Sequence, residues 1–243
     1  YMITTSIRRD GYSAFGKKNP RAFFPSVALG WTFTEEDFMP KDGWLNYGKL
    51  RLSWGENGNR EIGQYAALAR MSSSLLPYID QAGNIYSTSQ IYVTSMANYN
   101  LKWERTASYN VGIDFELFKS KLAGTIEAYT TRTNDLLVSR ALPDITGYKS
   151  VMSNLGQIQN NGVELSLNST IIKTNDFRWT ASANFSFNRR KINSLYGDKT
   201  NILDSNGQVI GQKDSDDPTN GWFIGQDPDR IWSYKRNGVW QAE

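Results

Sequence analysis

Five tyrosines, Tyr65, Tyr78, Tyr86, Tyr92 and Tyr99, recur through the segment 57–104 among serine, threonine, asparagine and glutamine. A tyrosine offers a flat apolar face and a hydroxyl on one side chain, which suits recognition of a sugar ring or a peptide. Tyr148 brings the same chemistry to a second polar segment. The competing use of these rings is to pack a long segment against itself. Three cations form another set: Arg9, Arg189 and Lys191. Guanidinium groups bind phosphate oxygens in pairs, while the competing reading is ordinary solvated loop charge. Asp214, Asp216 and Asp217 cluster before Pro218. A calcium site needs ~6–8 oxygens on a suitably spaced loop, and this run lacks the glycine spacing. It reads as a solvated turn, and no metal is assigned.

Catalytic chemistry has little to work with. The chain contains no histidine and no cysteine. That removes most zinc sites and the common Ser-His and Cys-His nucleophiles, and no motif singles out a Ser-Lys pair. The sequence therefore reads as a non-enzyme without a cofactor. Lys+Arg is 27 against Asp+Glu 24, a net charge of +3, which is too balanced to argue for nucleic acid.

These residues must be positioned by strands. From Phe177 to Asn188 the odd positions are Phe, Trp, Ala, Ala, Phe and Phe, and the even ones Arg, Thr, Ser, Asn, Ser and Asn. A period of two sends one set to each face of an extended strand. The pattern recurs at Leu50, Leu52 and Trp54, at Tyr109 to Leu117, at Leu122 to Ala128 and at Val163 to Leu167. Each run is about ten residues, the ~9–11 that a tilted strand needs to cross a bilayer, whereas soluble strands are usually ~5–6. The polar face carries mostly Ser, Thr, Asn and Gly, unlike the Lys and Glu of a soluble sandwich. No apolar run approaches the ~18 residues of a membrane helix, but a barrel escapes that test because only alternate residues meet lipid. Aromatics make up 13% of the chain, enough for interfacial girdles.

The spacing predicts strands at 1–9, 24–34, 47–56, 105–118, 121–134, 161–170 and 177–188, with an eighth at 229–240. Short connections at Pro40–Gly43, Lys119-Ser120 and Lys173–Asp176 alternate with long segments at 10–22, 57–104, 135–160 and 189–222. An up-and-down outer-membrane barrel has this asymmetry, with short periplasmic turns and long outer loops. The fold class expected is all-β: part of a large antiparallel transmembrane β-barrel, contributing about eight up-and-down strands. Trp31, Phe33, Phe115, Phe177 and Trp179 then form a periplasmic-side girdle, and Trp54, Tyr109, Phe185 and Phe187 an outer one. Lys49 and Arg51 face the lumen at the depth of Asp114 and Glu116, which predicts cross-strand ion pairs. By parity, Arg9, Arg189 and Lys191 face outward at the outer rim, where lipopolysaccharide phosphates sit.

Ordered strings carry a resemblance. Arg8-Arg9-Asp10-Gly11-Tyr12-Ser13-Ala14-Phe15-Gly16 precedes Phe24-Pro25-Ser26 and Glu35-Glu36. Leu50-Arg51-Leu52-Ser53-Trp54-Gly55-Glu56-Asn57-Gly58-Asn59, Asn100-Leu101-Lys102-Trp103-Glu104 and Tyr109-Asn110-Val111-Gly112-Ile113-Asp114 follow. Asn160-Asn161-Gly162-Val163-Glu164-Leu165 and Gly238-Val239-Trp240-Gln241 complete the set. In this order they closely resemble the carboxy-terminal barrel half of SusC/RagA-type TonB-linked outer-membrane proteins of Bacteroidota, over almost the whole chain.

The resemblance implies energised import of a nutrient, an oligosaccharide or a peptide, across the bacterial outer membrane. A SusD-like surface lipoprotein would cap the barrel, and TonB would act through an amino-terminal plug. The family's plugged barrels have about 22 strands, so residues 1–243 are expected to be a partial barrel domain without plug or remaining strands. Tyr1 already lies in a strand pattern with no initiator Met, in keeping with a boundary inside a longer chain. The alternative is a stand-alone small outer-membrane barrel with a structural or adhesive role.

Overall fold

The computed structural model describes all residues except 16, 17, 42, 234, 236, 237 and 239–243. Among the described residues thirteen strands follow one another: β1 (Met2–Gly11), β2 (Arg21–Trp31), β3 (Leu45–Asn59), β4 (Arg70–Ile79), β5 (Ile85–Met96), β6 (Glu104–Leu117), β7 (Leu122–Asn134), β8 (Leu137–Ala141), β9 (Ser150–Asn154), β10 (Gln157–Lys173), β11 (Arg178–Ser194), β12 (Lys199–Leu203) and β13 (Val209–Asp214). Seven of them form one sheet in the order β1-β2-β3-β6-β7-β10-β11. Every neighbouring pair in it is antiparallel. These are the seven strands that the alternation predicts.

The register turns the period of two into two continuous surfaces. Ile3, Leu29, Leu52, Val111, Ala128, Val163 and Phe187 are directly paired across all seven strands. Thr4, Ala28, Ser53, Asn110, Tyr129, Gly162 and Asn188 form the adjacent row on the other face. The first surface is apolar yet uncovered by protein: Ile3 is 71% exposed and Phe187 58%. In water such a face would drive association; against lipid it is the expected surface of a barrel wall. Consistent with this, among the described residues the buried cluster takes only Ala22 and Phe24 of β2 from the sheet. The buried cluster of Phe15, Ala22, Phe24, Ile62, Ala67, Leu101 and Trp103 lies at the long-loop end.

Three expectations are corrected. The segments 57–104, 135–160 and 189–222 are not plain loops. They hold β4 and β5, β8 and β9, and β12 and β13, in a four-stranded sheet of order β4-β5-β9-β8 and a separate two-stranded sheet. Polar Ser, Thr and Tyr runs pair with one another there without an apolar face to announce them. Residues 229–233 form no strand, and the rest of the eighth expected strand lies largely outside the described residues. The length asymmetry is also imperfect, because the connection 12–20 is shorter than the connection 32–44 on the opposite end.

Strand β2 stops at Trp31, and Phe33–Glu35 turns into a 3₁₀ segment. Thr34 explains the stop. Its hydroxyl accepts from the Gly48 N–H at 3.1 Å and donates to the Gly48 carbonyl at 3.4 Å, doing the pairing that a further strand residue would have done. The Phe33 ring occupies the space of a Gly48 side chain, 2.3 Å from where a Cβ would stand. Any larger residue at 48 would expel it. At the other end of the register β1 and β11 remain edges and do not pair with each other. The stand-alone small barrel, which needs its edges paired, gains no support from this sheet.

Candidate functional site

The hairpin β4–β5 collects most of the predicted tyrosines. Strand parity and register put Ser72 opposite Tyr92, Ser74 opposite Gln90, and Tyr78 opposite Tyr86. These residues share one face, because positions two apart on a strand point the same way. Tyr78 and Tyr86 stack with ring centroids 5.5 Å apart and planes inclined by 24°. Both stay about half exposed. Below them the Gln90 Nε2 donates to the Ser74 hydroxyl at 2.9 Å. Tyr92 follows six residues beyond Tyr86, ~20 Å along the strand. The Lys149 ammonium lies 5.8 Å from its ring centroid.

Local chemistry holds the hairpin in shape. Its tip is built on Asp80, which accepts from the Ala82 N–H at 2.8 Å, the Asn84 N–H at 2.9 Å and the Asn84 side-chain amide at 3.0 Å. Those bonds, the Asn84 side chain first, hold the Asp80 carboxyl below its usual range. Gly83 adopts φ +84°, the left-handed conformation that the turn demands. At the base, β5 pairs in parallel with β9 through Ser95 with Ser150 and Met96 with Val151. That pairing brings Lys149 beside Tyr92.

The remaining predicted tyrosines stand apart from the stack. Tyr148 follows the turn Asp144–Thr146 and adjoins Lys149 in sequence. Tyr65 has φ +58° and lines a separate cleft of about 340 Å³ with Tyr12, Ser13, Ala14 and Gln64. Tyr99 lies beyond the end of β5 and is exposed. The three cations are likewise divided. Arg9 is on β1, with its guanidinium 5.3 Å from the Phe23 ring. Arg189 and Lys191 are on β11, opposite Asn161 and Gln159. β1 and β11 are the two edges of the sheet, so this segment does not bring the three together.

The three aspartates are each occupied separately. Asp214 pairs with Lys199, Asp216 accepts from the Ile224 N–H, and Asp217 accepts from the Tyr196 hydroxyl at 2.7 Å and from Asn220. Burial and then the Asp217 bond push the Tyr196 hydroxyl up to about 12. Burial works against Asp217, but the bonds from Asn220 and Tyr196 prevail and hold its carboxyl below the usual range.

On the polar face of the wall the expected ion pair forms at Arg51. Its Nε meets Asp114 Oδ2 at 2.7 Å and its Nη2 meets Asp114 Oδ1 at 2.9 Å. The same Nη2 reaches Glu127 Oε1 on β7 at 2.5 Å. Glu127 was not expected, although its place on the polar side of β7 and the bare Gly112 between the two strands are signals that register makes readable. Lys49 and Glu116 do not join. Glu116 accepts from the Ser120 hydroxyl at 2.6 Å, and among the described residues Lys49 makes no ion pair.

Known proteins match this arrangement. A family model described as TonB dependent receptor-like, beta-barrel, covers residues 1–241. TonB-dependent receptor P3 of Formosa agariphila is 36% identical over 242 residues, which is 100% of this chain and 23% of that protein. TonB-dependent receptor SusC of Bacteroides thetaiotaomicron is 38% identical over 201 residues, 81% of this chain and 20% of that protein. A solved structure of the RagAB peptide transporter superposes with a TM-score of 0.72 at 30% identity, over 92% of this chain and 23% of that one. The chain thus spans less than a quarter of the length of these relatives.

Proposed function

The chain belongs to the TonB-dependent receptor-like β-barrel family, and from that premise we propose that it is barrel wall and outer loops of an outer-membrane importer. The observation that carries this is the seven-stranded sheet, apolar and uncovered on one face, polar on the other, with its hairpin-bearing loops at one end. A lipid-facing row and a wetted lumen account for both faces. On this reading residues 1–243 are part of one barrel domain in a longer protein that also holds a plug, through which TonB acts. A SusD-like lipoprotein covers the loop end. The cargo is an oligosaccharide or a peptide, and the names of the relatives, SusC and a peptide transporter, support that range.

The hairpin tyrosines are the proposed cargo contacts. Tyr78, Tyr86 and Tyr92 line one face of the hairpin, and Tyr148 and Tyr65, which stand apart from it, are proposed as further contacts. Arg189 and Lys191 on one edge, and Arg9 on the other, face the outer-leaflet lipopolysaccharide. The test is uptake of labelled oligosaccharides and peptides too large for porins by cells lacking the gene. Loss of uptake of one class, restored by the intact gene but reduced by Tyr78→Ala with Tyr86→Ala, is expected. Unchanged uptake of both classes in the deletion strain would sink the import reading.

A further inference from the structure

One spot on the polar face of the wall breaks the pattern of that face. Thr106, Thr133, Ile158 and Ile192 are directly paired across β6, β7, β10 and β11. Parity puts this row on the side of Asn110 and Tyr129, the polar face. Two isoleucines there need a cover, and the chain supplies one by folding back. The Ile192 N–H donates to the Gln226 carbonyl at 2.9 Å, and the Gly225 N–H donates to the Ile192 carbonyl at 2.7 Å. Ile192 is only 2% exposed.

The cover leaves a cavity of about 280 Å³. Leu136, Val138, Leu155, Ile158, Ile192 and Trp222 supply most of its apolar wall. Protein interiors hold few voids larger than a water, and one water needs only ~10–15 Å³. A cavity of this size, lined from several separate stretches of chain, is a pocket rather than a packing gap.

The polar groups on its lining are few. The Tyr196 hydroxyl already donates to Asp217, and Asp229 is paired with Arg190. Glu104 is different. Its carboxylate accepts from the Asn59 side-chain amide at 3.3 Å and from the Leu137 N–H at 3.2 Å, both neutral donors. Among the described residues it has no ion pair, and its neighbours Lys102 and Arg105 are engaged by Asp135 and Glu56. A half-buried carboxylate beside an apolar cavity is complementary to a cation that adjoins an apolar group.

A sugar does not suit this lining. Each ring hydroxyl placed against leucine, valine and isoleucine would lose its water without a replacement bond. The amino terminus of a peptide does suit it, because the ammonium and the first side chain leave the same carbon.

We propose that this cavity takes the first residue of a peptide, its apolar side chain against Ile158, Ile192 and Trp222 and its α-ammonium on Glu104. The proposal rests on the import reading and narrows the cargo to peptides with a free, apolar amino terminus.

The experiment is calorimetric titration of the full-length protein in detergent with leucyl-triglycine amide. Seryl-triglycine amide, N-acetyl-leucyl-triglycine amide and maltotriose are the comparisons. Saturable binding of the leucyl peptide is expected, about tenfold tighter than the seryl one because the side chain is buried. Acetylation removes the cation and should weaken binding about tenfold. Glu104→Gln should weaken the leucyl peptide by a similar factor and leave the acetylated one unchanged. Val138→Trp fills the cavity and should abolish binding, with the thermal unfolding midpoint reporting that the fold is kept. The four probes are compared on the unmodified protein, so the outcome does not depend on either variant folding. Absence of saturable binding, equal binding of the leucyl peptide and either peptide control, or tighter binding of maltotriose would overturn the pocket. Binding needs no transport, so such a result leaves the import reading standing, whereas failure of that reading shows in the uptake test.

Discussion

Arg51 on β3 grips Asp114 on β6 with two hydrogen bonds and then reaches past that strand to Glu127 on β7. Gly112 makes the reach possible, since a Cβ there would stand 3.0 Å from the Arg51 Nη2. One guanidinium thus joins three consecutive wall strands on the polar face. Replacing it strands two carboxylates side by side. Arg51→Met in the full-length protein is expected to lower unfolding stability by ~1–3 kcal/mol, read from urea unfolding in detergent. Gly112→Val should approach the same loss by blocking the path. A stability unchanged in both variants would mean that the network contributes nothing in solution.

Val111 and Asn110 are sequence neighbours on opposite faces, and they separate the lipid reading from any soluble one. Val111→Arg puts a charge in the apolar row, at an expected cost of ~2–4 kcal/mol near the bilayer midplane. Asn110→Arg lies on the polar face beside Glu127, to which Asn110 already donates, and should be tolerated. Unfolding from lipid vesicles measures both. Equal costs would contradict the assignment of the two faces.

Tyr129 lies across Gly162, with its Cζ 2.4 Å from where a Gly162 Cβ would be. The ring covers the bare backbone between β7 and β10. Gly162→Ala must push the ring aside, and overpacking of this kind costs ~1–3 kcal/mol. The double variant with Tyr129→Ala should recover part of that loss. Additive losses in the double-mutant cycle would remove the coupling.

The bond between Tyr196 and Asp217 ties the loop after β11 to the segment before Trp222. Tyr196 has its pKa raised from 10.0 to about 12. Its contribution is therefore complete below pH 10 and is lost as pH rises through about 12. Asp217, held below its ordinary 3.8, contributes fully above that value and loses its contribution as pH falls through the depressed one. A tyrosinate absorbance titration should contain a late component that is absent in Tyr196→Phe and shifted back toward 10 in Asp217→Asn. Identical titration curves in all three proteins would refute the pairing.

Much of the wall was legible in the sequence because strand geometry is local. A residue's face follows from parity alone, so the runs around Leu52, Val111, Val163 and Phe187 announced a two-faced sheet before any pairing was known. The turns at Lys119-Ser120 and before Phe177 were equally readable from their lengths. The charge network was half legible: parity put Arg51 and Asp114 on the polar face, but Glu127 became a partner only through register across Gly112. Pairing between chain segments decided the rest. Polar runs such as 70–79 and 85–96 carry no apolar stripe, so their strand character rests on each other's backbone hydrogen bonds. The stack of Tyr78 on Tyr86, the separation of Arg9 from Arg189 by the full width of the sheet, and the gathering of Phe15, Phe24 and Trp103 in one buried cluster all depend on which residues distant in sequence are brought together. Parity is set by each strand's own dihedrals, whereas neighbours across strands are set by which hydrogen-bond registers the whole chain can satisfy at once.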